Sequence, residues 1–393
     1  MDVMPPTTPV APLLPGAALA MPPLRIGSIS VSPPVVLAPM AGVTNGPFRA
    51  ICRTYGAGLY VSEMVSARGL VEGSDRSRTL TRFGPDESPR SIQLYGTDPH
   101  TIGEAVRLLV DGEGAEHIDL NFGCPVRKVT RHGGGAALPA RPRLLRSVVA
   151  VAVRAAGDVP ITMKVRTGID ERRRTFLDAG RIAEDEGCAA IALHARTAAQ
   201  LYSGCAAWAD IAELKANVTT IPVLGNGDIW TAADALAMLG RTGCDGVVIG
   251  RGCLGRPWLF SDLSAALHGR PAPPPPRLDV VTRTMRHHAA RLVEWSDELR
   301  GIRDFRKHSG WYLHGYAVGT EVRRRLNRVS SSTELDSLLD TLDPDLELPV
   351  EHIGSPRGPQ HGPKAVTLPE GFLDQSDDLS PLAPEADALV SGG

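Results

Sequence analysis

No stretch of this sequence comes near the roughly 18 apolar residues that would suggest a membrane span, so no membrane segment is expected. Its six cysteines (Cys52, Cys124, Cys188, Cys205, Cys244, Cys253) include no close C-x-x-C pair. Neither a zinc site nor a disulfide framework is indicated, and no metal is expected. Reduced thiols then point to the cytoplasm. Ala18-Leu19-Ala20 faintly resembles a signal cleavage site, but no basic segment precedes it and prolines interrupt the apolar run, which argues against secretion. After the first apolar segment stands Ala38-Pro39-Met40-Ala41-Gly42, where a glycine-rich dinucleotide fingerprint would be needed for an open doubly wound sheet.

What is present fits a globular protein of 393 residues, 42% hydrophobic and 22% charged. That length holds one barrel-sized domain and something smaller. The net charge of −2 conceals an asymmetry. Arg277 to Arg328 carries 12 Lys/Arg against 6 Asp/Glu, whereas residues 329–393 carry 2 against 13. A basic segment is the footprint of a polyanion partner, although a solvated helix face such as Arg323-Arg324-Arg325 gives the same count.

Eight short runs rich in β-branched residues recur along the chain: Val35–Ala38, Leu59–Ser62, Ser91–Leu94, His117–Leu120, Ile161–Val165, Ala190–His194, Pro222–Leu224 and Gly246–Ile249. Between them lie helical patterns such as Leu144–Ala155, Phe176–Glu186 and Ala232–Leu239. Strands alternating with helices imply parallel pairing, and eight such units predict an α/β fold, a (β/α)8 TIM barrel. Function in that architecture gathers at the carboxyl ends of the strands. There the sequence places Pro39-Met40-Ala41, Glu63-Met64, Gln93, Asn121-Phe122-Gly123-Cys124-Pro125, Lys164 with Arg166, His194-Ala195-Arg196-Thr197, Asn226-Gly227-Asp228 and Gly250-Arg251-Gly252.

Composition divides the rest. Residues 1–23 hold seven prolines and one charge, which reads as a loose leader. The barrel occupies 24–270, and a proline-rich spacer covers 271–277. Residues 278–342 read as four helices (Val280–Glu294, Leu299–Leu313, Val318–Val329, Thr333–Leu342) forming a small C-terminal helical bundle. The acidic remainder, 343–393, is rich in Pro, Gly and Asp and is expected to be disordered.

Taken in order, five motifs resemble the tRNA-dihydrouridine synthase family. They are Ala38-Pro39-Met40-Ala41-Gly42-Val43-Thr44, the Asn121–Pro125 segment with Lys128-Val129, Met163-Lys164-Val165-Arg166, His194-Ala195-Arg196-Thr197, and Gly250-Arg251-Gly252 with Gly255-Arg256-Pro257-Trp258. Arg306-Lys307-His308-Ser309-Gly310-Trp311-Tyr312 is similar to a further family segment, and the bacterial B-type branch is the nearest likeness. The likeness runs from about Ile26 to Leu342 and leaves out the leader and the tail.

The resemblance implies FMN, with NADPH or NADH as hydride donor, and uridine in tRNA as substrate. Reduction of the C5–C6 bond of uracil needs a hydride at C6 and a proton at C5. Cys124 is the candidate acid, because a free thiol is largely protonated at neutral pH. Lys164 would stabilise negative charge on reduced flavin, and His194 would contact FMN. Asn226, Gly227, Asp228, Gly250 and Arg251, after the seventh and eighth strands, look like a phosphate cup. Pro39, Met40 and Ala41 would lie against the flavin ring, while Gln93 offers an amide to the pyrimidine edge. Asn121, Arg127, Lys128, Arg131, Arg166, Arg196, Arg306 and Lys307 would meet the base or the RNA backbone. A monomer is expected. A flavin-dependent dehydrogenase of a free pyrimidine and a non-catalytic RNA-binding barrel are the alternatives; the basic helical segment weighs against the first, and intact Cys124, Lys164 and His194 against the second.

Overall fold

The computed structural model describes residues 21–358, 362–374, 378–380 and 382; the proline-rich leader to Ala20 lies outside them. Eight parallel strands close into a barrel in sequence order. They are β1 (Val35–Leu37), β2 (Leu59–Ser66), β3 (Ser91–Tyr95), β4 (His117–Phe122), β5 (Ile161–Arg166), β6 (Ala190–His194), β7 (Val223–Asn226) and β8 (Gly246–Ile249). Strand β8 closes the ring on β1 through Val247–Val35, Val248–Val36 and Ile249–Leu37.

The strands are apolar on their outer face, which helices cover, while the inner face is apolar near the floor and polar on β3, β4 and β5. One cluster joins the outward residues (Val35, Leu37, Ile92, Leu120, Met163, Leu193, Val247) to helices such as Pro142–Ala156 and Phe176–Asp185. The floor is sealed by an antiparallel ribbon, Leu24–Ile26 with Ile29–Val31, whose Leu24, Ile26 and Val31 pack against Val36, Leu59 and Val248.

Strand β2 runs four residues further than the β-branched pattern indicates, so Glu63 and Met64 lie within it. A register shift between Val61 and Met64 absorbs the difference, as a bulge that re-aims side chains at the barrel rim.

Inside the barrel a polar chain rises toward the mouth. Ser91 bonds His117 (2.7 Å), His117 meets Thr162 (3.0 Å), Thr162 donates to Asp119 (2.7 Å), Gln93 Nε2 donates to Asp119 (2.8 Å), and Asn121 Nδ2 donates to Gln93 (2.9 Å). Each is buried, so mutual pairing offsets the cost of removing these groups from water.

Helices Leu278–Trp295, Glu298–Tyr312, Thr320–Leu326 and Ser332–Leu339 share a second core built on Met285, Ile302, Phe305, Tyr312 and Leu338. Asp297 and Ser331 cap the second and fourth of them by accepting backbone N–H bonds. This core touches the barrel closely. Gly255 has φ +60°, and a Cβ there would stand 2.1 Å from the carbonyl carbon of Trp311, so only glycine lets the two backbones meet.

The acidic segment, which composition reads as solvated, includes buried side chains among its described residues. Arg357 and Phe372 are each 3% exposed, and Lys364 N donates to Ala199 O at 2.9 Å. Two buried anchors and a backbone bond to the barrel hold a segment that average composition cannot distinguish from a solvated one. No helix among the described residues is long and apolar enough to cross a membrane.

Candidate active site

A cavity of about 950 Å³ opens at the carboxyl end of the barrel, large enough for a small-molecule cofactor together with a substrate group. Its apolar side is Pro39, Met40 and Ala41, the segment leaving β1. Gln93, Asn121 and Cys124 come from β3 and β4, Lys164 and Arg166 from β5, and His194 and Arg196 from β6. The loops after β7 and β8 bring Asn226, Gly227, Asp228, Gly250 and Arg251. Arg127 and Lys307 stand at the rim. Lys128 and Arg306 do not line the cavity.

Cys124 follows β4 in a loop that its own strand holds in place. Asn121 Oδ1 accepts from Gly123 N and Cys124 N, each at 3.0 Å. That amide thus shapes the cysteine loop, and its Nδ2 is engaged by Gln93, which in turn donates to Asp119. Sequence reading assigned Asn121 to the substrate and Gln93 to the pyrimidine edge; folding also gives both of them work inside the barrel. Burial pushes the Cys124 thiol above its ordinary range, against smaller opposing effects of Val126 N–H and Arg166. The group is therefore a protonated thiol at neutral pH.

Lys164 lies on the β5 register between Asn121 of β4 and Ala192 of β6. Burial, with Arg166 adding to it, lowers its ammonium to about 8, while Asp119 holds it up. Its ammonium makes no hydrogen bond or ion pair to any described residue. His194 is driven well below its ordinary value by burial and by the cations Arg166, Lys164, Arg196 and Arg251, so it is a neutral imidazole here.

Arg166 and Arg196 line the cavity, but they are 4% and 2% exposed and most of their N–H groups are taken by loops, Arg196 Nη1 excepted. Arg166 donates to Gly123 O (2.9 Å), Thr197 O (2.9 Å) and Leu201 O (2.8 Å). Arg196 donates to Ser203 O (3.0 Å), Gly204 O (2.7 Å) and Asp228 (2.8 Å). Both residues, expected to meet the base or the RNA backbone, also cross-brace the mouth through these bonds. Arg306 donates to Val329 O at 2.8 Å, joining its helix to the loop after Thr320–Leu326. In the Arg323–Arg325 run, Arg323 caps carbonyls of Leu313 and Tyr316 and Arg324 pairs with Glu321, which leaves Arg325 exposed.

In the loop after β7, Gly227 has φ +128° and a Cβ would meet that of Ala206 at 2.6 Å. Asp228 adopts φ 55° and accepts from Ala206 N (2.7 Å) and Arg196, with Arg251 at 4.0 Å. A carboxylate in a phosphate cup is repelled by phosphate, so Asp228 serves as a brace that holds two arginines. Arg251 stacks over Tyr202 (4.4 Å) and Trp230 (5.2 Å), which fixes a planar cation at the rim. Tyr202 and Trp230 carried no motif signal, and only the fold brings them to the cavity beside Trp311 of the Arg306–Tyr312 segment.

A family model described as dihydrouridine synthase matches residues 36–346. This chain belongs to that family. It is 57% identical to a probable tRNA-dihydrouridine synthase of Mycobacterium tuberculosis H37Rv over 383 residues, covering 95% of this chain and 97% of that relative. A Mycobacterium leprae relative of the same name is 54% identical, over 91% of this chain and all of the relative. The tRNA-dihydrouridine synthase B of Pseudomonas putida KT2440 is 41% identical over 79% of this chain and 91% of the relative. Coverage of 95% leaves about 20 residues of this chain outside the M. tuberculosis alignment, fewer than the 47 that follow residue 346. The dihydrouridine synthase likeness to that relative therefore extends into the tail.

Membership implies FMN, and the site fits it. An apolar wall of Pro39, Met40 and Ala41 stands opposite the unpaired ammonium of Lys164. Two side-chain-free turns, at Gly227 and Gly250, sit beside Arg251, and Arg196 Nη1 is buried with no partner among the described residues. Flat aromatic ring, anionic ring edge and phosphate each find complementary groups in that set.

Proposed function

We propose that this dihydrouridine synthase reduces uridines in tRNA, with Cys124 delivering the proton to C5 of the base. FMN, when bound, supplies the hydride that reaches C6, drawn in turn from NADPH or NADH. Pro39, Met40 and Ala41 support the ring, and Lys164 offsets negative charge on it. His194, neutral, serves as a hydrogen-bonding contact. Gly227, Gly250 and Arg251, with Asn226 behind them, hold the phosphate, and Asp228 orients the arginines around it. The observation that carries the reading is Cys124 itself: a half-buried thiol in the same cavity as Lys164 and His194, pushed toward its protonated form by its removal from water. A group that must give up a proton is useful only if it holds one at working pH, and burial ensures that.

The RNA backbone is read at the rim, by Arg127, Lys128, Arg131 and Lys307 and by the basic helices 278–342, while the uracil leaves its stack to enter the cavity. The chain is proposed to work as a monomer.

Cys124→Ala is expected to bind FMN with unchanged yellow absorbance and to form dihydrouridine in tRNA at least about 100-fold more slowly, the usual weight of a positioned general acid. Mass spectrometry of nucleosides from treated tRNA reads the product. Wild-type rates in that variant would remove Cys124 from the acid role.

A further inference from the structure

The described part of the tail crosses the mouth of the barrel. Arg357, buried, donates to the carbonyls of Leu254 and Trp311, and Gly358 lies against the Arg251 side chain. Further on, Lys364 N donates to Ala199 O at 2.9 Å. Phe372 packs on Gly133 and under the guanidinium of Arg141 at 5.0 Å, and Asp378 pairs with Arg141 at 2.9 Å. Leu254 follows β8, Ala199 follows β6, and Gly133 and Arg141 follow β4. The strap thus visits the loops of three strands at the carboxyl edge, and between its anchors Lys364, Ala365, Val366 and Thr367 line the cavity.

Charge along the strap is sorted by position. Residues 357–369 contain Arg357 and Lys364 and no Asp or Glu, although the tail as a whole is acidic. The carboxylates begin at Glu370, where the chain leaves the cavity for Arg141. A plug that imitates RNA would set its carboxylates over the cationic mouth, whereas this segment sets a lysine there. Lys364 is exposed, and its side chain has no hydrogen bond or ion pair to a described residue. The strap lies beyond residue 346, where the family match ends.

We propose that the C-terminal strap is the outer wall of the substrate entrance and that Lys364 binds a backbone phosphate of the RNA beside the extruded uridine. The proposal rests on the reading that RNA enters this mouth, and it adds a contact that the barrel and the helices do not supply. Ala365 and Val366 give the entrance a narrow apolar lip, and Phe372 with Asp378 hold the strap in place. One phosphate contact gives up about one condensed counterion, so its loss lowers the salt dependence of binding by about one unit of slope.

The test uses the FMN-loaded full chain and an unmodified tRNA transcript. Kd is measured by fluorescence anisotropy across a salt series, and dihydrouridine formation is measured in parallel. Lys364→Glu is expected to weaken binding about 10-fold or more at low salt and to flatten the salt slope by about one, while Lys364→Arg restores both. Phe372→Ala, which releases the strap from the β4 loops, is expected to weaken binding in the same direction. Unchanged affinity and slope in Lys364→Glu would overturn the proposal. So would tighter RNA binding by Phe372→Ala, which would mark the strap as an obstruction. Flavin-to-protein absorbance and melting temperature check that each variant is folded. If wild type binds the transcript and forms dihydrouridine while Lys364→Glu matches it, only the strap proposal fails. If wild type forms none, the underlying reading fails.

Discussion

At the scale of single residues, the site is a set of groups whose ionisation is set by burial. Cys124 keeps its proton and His194 gives its proton up, each because the charged form is costly away from water. Lys164, at about 8, is the group poised to change charge in a usable range. An anionic ligand favours its protonated form, so FMN affinity is expected to decline as pH rises through about 8. Fluorescence quenching of free flavin, titrated between pH 7 and pH 9, measures this. Lys164→Met is expected to weaken FMN binding by roughly 10-fold or more and to abolish the decline. An unaltered pH dependence in that variant would assign the effect to another group. Lys164, Cys124 and His194 were legible in the sequence because each ends or follows a strand where the barrel directs side chains to one mouth. For Arg166 and Arg196 position gives the same proximity to the site, but not the bonds they make to Leu201 O, Ser203 O and Asp228.

At the scale of elements, the loops after β6 and β7 form one braced unit through Asp228, Arg196 and Ala206 N. Removing the carboxylate leaves Arg196, 2% exposed, without its counter-charge. Asp228→Ala is expected to destabilise the protein by about 3 kcal/mol, as broken buried pairs do, and to loosen FMN by mispositioning Arg251. Urea unfolding with and without FMN separates the two effects; a variant as stable as wild type would show that the brace is dispensable. Gly255 makes a second element-scale case. Its positive φ and its 2.1 Å approach to Trp311 leave no space for a methyl group, so Gly255→Ala should cost at least about 2 kcal/mol and shift Trp311 and Lys307 away from the rim. A wild-type unfolding midpoint would contradict that. The motif Gly255-Arg256-Pro257-Trp258 marks this glycine in the sequence but not what approaches it.

For the whole molecule, the segment resembling a family signature divides by face. Lys307 and Trp311 reach the cavity, while His308 is buried against Phe48, Phe305 and His288 at the seam between helices and barrel. Burial lowers His288 to about 3 and drives His308 well below its ordinary value, with Lys307 adding to both. Both are neutral in the folded chain and take up a proton near pH 6.5 when it unfolds. Stability is therefore complete above about 6.5 and is lost as pH falls toward the folded value, by up to about 1.4 kcal/mol per unit for each histidine. His308→Phe should make the unfolding free energy less sensitive to acid between pH 7 and pH 5. An unchanged slope in urea titrations at the two pH values would dismiss the histidine pair as its source.

The sequence alone determined the barrel, because short β-branched runs alternating with helical patterns bury their surfaces in few other ways, and eight of them close a ring. It also placed its candidate residues at strand ends that meet in one cavity. What only the tertiary structure decided were the partnerships across sequence distance. These are the bulge that keeps Glu63 and Met64 inside β2, the arginines spent on loop carbonyls, the aromatic platform of Tyr202 and Trp230 under Arg251, and the tail laid over the mouth. Each depends on which backbone groups and surfaces come within a few ångströms after folding. Local composition, which read the tail as disordered, contains no information about a buried Phe372 or about the Ala199 carbonyl that receives Lys364 N–H.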